Sequence, residues 1–78
     1  VSYIPEVVGQ GETKFFGNGM RFATPEEAIA YCIDLQGRWM GCKAGAENRR
    51  ATESSDPVNY EWSIIDHRLA PVKPGDVA

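Results

Sequence analysis

The stretch Thr24-Pro25-Glu26-Glu27-Ala28-Ile29-Ala30-Tyr31-Cys32-Ile33-Asp34-Leu35-Gln36-Gly37-Arg38 decides the fold. Thr24 suits a helix N-cap, Pro25 falls at the first helical position where its missing N–H costs nothing, and Glu27 follows the cap at capping-box spacing. Ala28, Ile29, Cys32, Leu35 and Trp39 then recur at helical spacing and line one face, leaving Glu26, Glu27, Asp34 and Gln36 for water. Gly37 marks the end, and the acidic start and Arg38 at the finish complement the helix dipole.

Upstream of this helix, Lys14-Phe15-Phe16 and Met20-Arg21-Phe22 are β-prone pieces separated by Gly17-Asn18-Gly19. They predict either a tight hairpin or one bulged strand. Residues 1–12, with Pro5, Gly9 and Gly11, read as an irregular arm or an edge strand. Downstream, Trp39 to Lys43 reads as a strand, and Arg49 to Ser54 as its continuation or a separate strand. Ser54-Ser55-Asp56-Pro57 is a turn signal. From Asn59 onward, Tyr60, Trp62 and Ile64 alternate with polar residues as a half-buried strand does. Residues 71–78 carry two prolines and a glycine and read as a flexible tail.

One amphipathic helix and a few half-apolar strands bury their apolar faces most economically against each other. The expected fold class is therefore α+β, a two-layer sandwich with one main helix on a three- to four-stranded, mainly antiparallel sheet. Residues 13–70 form its single domain, with Trp39, Trp62, Phe22, Leu35, Ile29 and Tyr60 supplying most of the core.

The chain has 78 residues, 42% of them hydrophobic, with 8 Lys and Arg against 11 Asp and Glu. A chain of that size buries roughly 60–65% of its unfolded surface, enough for one small core but not for a deep catalytic chamber as well. The acidic balance runs against a strongly basic nucleic-acid binder. No apolar run reaches the roughly 18–20 residues of a membrane helix, and the first ten residues lack signal-peptide features, so the expected location is the cytoplasm. Cys32 and Cys42 form no C-x-x-C pair and read as reduced, small apolar residues. With His67 as the one histidine, neither a metal site nor any other cofactor is expected.

Acid–base candidates are His67 beside Asp66, and Asp34, Glu53 and Asp56, but no nucleophile elbow accompanies them. Gly9-x-Gly11 and Gly17-x-Gly19 open no helix and read as turn glycines rather than a phosphate cradle. No catalytic residue is assigned. The sharpest hint is basic: Arg38, Lys43, Arg49 and Arg50 cluster in sequence and, with Tyr60, are the candidate binding residues along one edge of the sheet.

A longer pattern carries a resemblance. Met20-Arg21-Phe22-Ala23-Thr24-Pro25-Glu26-Glu27-Ala28, then Tyr31, Asp34-Leu35, Arg38-Trp39, and Glu53-Ser54-Ser55-Asp56-Pro57-Val58-Asn59-Tyr60-Glu61-Trp62 together resemble small proteins of phages and bacteria, a group with no assigned activity. The run from Phe22 through Thr24, Glu26, Glu27, Ala28, Ile29 and Ala30 to Tyr31 is also similar to an accessory subunit of respiratory complex I, which likewise sets a helix after a strand. That subunit's lysine- and proline-rich stretch and its aromatic-Trp ending are missing here.

The expected function is a small non-enzymatic binding or adaptor module, phage-derived by the resemblance, that engages a protein partner or itself through a sheet edge and the Arg49-Arg50 region. The alternatives are a weak single-stranded nucleic-acid binder using the basic residues with Tyr60, and an accessory subunit of the complex I kind. A small hydrolase or isomerase would require Asp34, Asp56 or His67 to meet in a concave pocket. No membrane partner is expected.

Overall fold

The computed structural model describes residues 1–72. Strands β1 (Ser2–Val8) and β2 (Phe15–Gly17) precede the helix α1 (Pro25–Arg38). A short 3-10 turn (Ala46–Asn48) then leads into β3 (Arg49–Ser54), β4 (Tyr60–Ser63) and β5 (Arg68–Pro71). All pairings are antiparallel, in a three-stranded sheet of order β2-β1-β3 and a two-stranded sheet β4-β5. The chain is thus an α+β fold with one helix packed against antiparallel sheets.

The helix begins as its sequence dictates. Thr24 has an extended backbone and its hydroxyl accepts the Glu27 N–H at 3.2 Å. The Glu27 carboxylate then departs from the usual capping box: one oxygen accepts from the Thr24 hydroxyl at 3.0 Å, the other from the Trp62 N–H of β4 at 3.0 Å. A helix cap has become a tie between the helix and the second sheet, so Glu27 does not simply face water.

Residues 1–12 form neither an irregular arm nor an edge strand. Ser2–Val8 is the central strand, paired with β2 on one side and β3 on the other. Pro5 argues against a central position because it has no N–H to give, and the hydrogen bonds explain why it is tolerated. Tyr3 exchanges both backbone bonds with Phe22, at 2.8 and 2.9 Å, so odd-numbered β1 residues point their polar groups toward the β2 side. Pro5 therefore faces the gap between Gly17 and Phe22, where the neighbouring chain swings away. Of the two readings for Lys14–Phe22, the interrupted strand is the one found: both pieces run along β1, and they do not pair with each other.

The stretch Arg21-Phe22 also joins the two sheets. Phe22 bonds β1, while the Arg21 carbonyl accepts the Asn59 and Tyr60 N–H groups at 3.0 and 3.2 Å, and the Asn59 side chain accepts the Arg21 N–H at 2.7 Å. Phe22 is fully buried and anchors the main cluster with Ala28, Tyr31 and Trp62, flanked by Tyr3, Leu35, Tyr60 and Leu69. A second cluster of Val7, Cys32 and Cys42 fills the space under the other end of the helix.

Two expectations fail at the helix exit. Trp39–Lys43 is not a strand, since only Cys42 bridges to Gly9 there, although Lys43 N–H bonds the Val8 carbonyl at 2.8 Å. Trp39 is not core either: the helix ends at Arg38, the chain turns, and the indole is 44% exposed, lying against Gly41 and edge-on to Phe16. The tail expected from residue 71 starts too early, because Pro71 pairs with Tyr60 and Val72 N–H bonds the Asn59 carbonyl. The rest of it, 73–78, lies outside the described residues.

Candidate binding surfaces

The basic residues named from the sequence do not form one patch. Neighbours on a strand point to opposite faces, and β3 divides Arg49 from Arg50 in this way. Arg49 lies under the helix, where its Nη1 donates to Gln36 Oε1 at 3.1 Å. Arg50 is on the opposite face, its Nε donating to Glu6 Oε1 at 2.6 Å and its guanidinium 4.1 Å from the centre of the Phe15 ring. Arg38 pairs with Asp34 one helical turn back at 2.6 Å, and Lys43 Nζ donates to the Glu12 carbonyl at 2.6 Å. Tyr60 belongs to β4 of the second sheet and packs half-buried against the main cluster instead of standing exposed beside the two arginines. All four cations are engaged within the chain.

Two residues that the sequence reading assigned no binding role organise this end of the molecule. Glu6 Oε1 accepts from both Arg50 and Thr52, the latter at 2.6 Å. Burial pushes its carboxyl upward, but these two hydrogen bonds and the Arg50 charge outweigh that and hold it below the ordinary carboxylate value. Gln36, expected to face water, donates to the Lys43 and Gly45 carbonyls at 2.8 and 3.0 Å and so sews the loop before β3 to the helix. Beneath it the Cys32 thiol is buried and free, and burial pushes it up to about 11. Such a thiol is poorly suited to nucleophilic work at neutral pH.

What β3 does offer is an open edge. It pairs only with β1 among the described residues. Even-numbered β1 residues turn their polar groups toward β3, and Ser2, Ile4 and Glu6 lie opposite Ser54, Thr52 and Arg50. The backbone N–H and C=O groups of Ala51 and Glu53 and the C=O of Arg49 therefore point outward, while the Arg49 N–H caps the preceding 3-10 turn by donating to the Ala46 carbonyl.

A second surface lies between α1 and the β4-β5 turn. A shallow hollow of about 230 Å³ is lined by Ala30, Ile33, Asp34, Trp62, Ile64 and His67. It brings Asp34 and His67 to one rim, as the acid–base reading required, but Asp56 is elsewhere, paired with Arg21 at 3.0 Å. The lining is mainly apolar and includes no Ser, Thr or Cys, and the Asp34 carboxylate is held by Arg38. His67 occupies the left-handed position of the turn, φ 53°, which accounts for its placement in backbone terms. Ile33, Ile64 and Ile65 are 49%, 54% and 91% exposed around this end.

Among the described residues, no group of three or more His, Cys, Asp or Glu could hold a metal ion, and no helix is long and apolar enough to cross a membrane. No protein-family model matches the chain, and neither a curated protein nor a solved structure does.

Proposed function

We propose that this chain is a non-catalytic binding module that captures an extended protein segment by adding it as a further strand along β3. The observation that carries the reading is an outward row on a six-residue strand, made of the Arg49 carbonyl and both backbone groups of Ala51 and Glu53, that no strand among the described residues pairs. Main-chain hydrogen bonds would supply affinity there, and alternate side chains would read the partner. Arg49 and Arg50 contribute one cation to each face of the edge rather than a single basic stripe. That arrangement favours protein over single-stranded nucleic acid, which needs cations and stacking rings on one groove. An adaptor of phage origin and an accessory subunit of a larger assembly are both roles such a module would fill.

Selection of binders from a displayed library of extended peptides, followed by amide chemical-shift mapping, tests the reading. Shifts should concentrate at Arg49, Ala51 and Glu53, and Glu53→Pro, which removes one outward N–H at an exposed site, should abolish binding while the circular dichroism stays native. Shifts confined to Ile33, Trp62 and Ile64 would reject edge addition.

A further inference from the structure

We infer that the strand captured at this edge is β3 of a second copy, in a two-fold register centred on Ala51. The inference rests on the edge-addition reading and adds the partner and its alignment. A two-fold axis normal to the sheet keeps each side chain on its own face, so only residues of equal parity come opposite one another. Four such registers centre on a residue in the middle of β3, and charge separates them.

Centring on Arg50 sets Arg50 against its own copy, and centring on Glu53 does the same with two carboxylates. Like charges directly opposite are destabilising. Centring on Thr52 sets Ala51 against Glu53 and Arg50 against Ser54, with no ion pair. Centring on Ala51 sets Arg49 of each copy against Glu53 of the other on the helix face, Arg50 against Thr52 on the open face, and the small Ala51 against itself.

The Ala51 register also engages the backbone groups that the edge leaves outward. The two Ala51 residues would exchange both bonds, and each Glu53 N–H would donate to the opposite Arg49 carbonyl, the Arg49 N–H being held by the Ala46 carbonyl. The side chains are available for it: Glu53 is exposed and bonds no described residue, and Arg49 commits only Nη1, to Gln36. Both helices would then lie on the same face of one continuous sheet.

Sedimentation equilibrium on the whole chain, with Arg49→Glu, Glu53→Arg and the double reversal, tests the register. Each single reversal places like charges opposite one another twice across the axis and should weaken the dimer about tenfold, and the double reversal should restore it to near the original value. Circular dichroism confirms that each variant is folded, and Glu53→Arg, at an exposed site, guards against a misleading loss of the Gln36 contact. A dimer indifferent to both reversals but lost in Glu53→Pro would keep edge addition and overturn the Ala51 register. A chain that stays monomeric at millimolar concentration would overturn self-pairing, while peptide capture at the same edge remains an independent readout of the underlying function.

Discussion

The two ends of this small molecule solve the problem of covering a sheet in opposite ways. At the β1-β3 end, polar side chains are tied off in pairs: Glu6 holds Arg50 and Thr52, and Gln36 holds Arg49 and two loop carbonyls. At the β4-β5 end the hairpin finishes in Ile64 and Ile65, which remain largely in water. The first end is a sealed ladder whose longer open edge is the six-residue β3, the other being the three-residue β2. The second is a two-stranded ribbon, marginal by itself, attached through the Trp62 ring, the Glu27 carboxylate and the Arg21-Asn59 splice. Exposed apolar area is thus a poor guide to where a partner adds, because the backbone edge at the polar end is the more directional feature.

Large truncations should separate the two ends most clearly. Phe22→Ala removes the ring at the junction and should cost about 3–5 kcal/mol, lowering both ladders together in denaturant. Trp62→Ala should cost a similar amount on paper but act unevenly, with β4-β5 amides losing protection while β1-β3 amides keep most of theirs. Loss of both ladders in step in the Trp62 variant would mean that the hairpin is no separate unit.

A smaller effect is expected from the tie between them. Glu27→Ala removes the partner of the Thr24 hydroxyl and leaves the Trp62 N–H unpaired, which should cost about 1–2 kcal/mol. Thermal melts of this variant should show the deficit, and Gln at the same position, which still offers an acceptor, should recover part of it. A Glu27→Ala variant as stable as the parent would remove the proposed tie.

The smallest effect belongs to the sealed end and depends on pH. The folded Glu6 carboxyl is held below its unfolded value of about 4.3. Its stabilising contribution is therefore fully present above that value and lost as the pH falls through the lower, folded one. Glu6→Gln should flatten this part of the acid limb in denaturant unfolding measured across acidic pH. An unchanged slope would show that Arg50 and Thr52 do not favour the charged form.

How much of this was legible in the sequence follows the range of the interactions. The helix start at Thr24 and Pro25 is fixed by neighbours and was readable almost to the residue. The buried stripe was read less well. Ile29 and Ile33 make the helix apolar on a wide arc, so periodicity alone did not select Tyr31 over Ile29, and Trp39 continued the pattern past the point where the helix stops. The central place of β1 was hidden because Pro5 and the glycines resemble an edge, and only the register shows that Pro5 meets a gap.

The candidate site followed the same rule. Arg49 and Arg50 are adjacent in sequence and read as one patch, yet strand alternation separates them, a consequence available from the sequence once the strand is accepted. Glu6 and Gln36 carried no local signal, since their partners are far away along the chain. The open edge itself is a property of topology, settled by which strand lies next to which.

The central claim is that the outward groups of β3 are the contact row. Residue-resolved hydrogen exchange, on dilute protein and again on concentrated protein, tests it directly. In dilute solution Arg50, Thr52 and Ser54 should exchange slowly and Ala51 and Glu53 quickly, and concentration should slow the second set alone. Uniform protection along β3, or slowing confined to Ile64 and Ile65, would contradict the account.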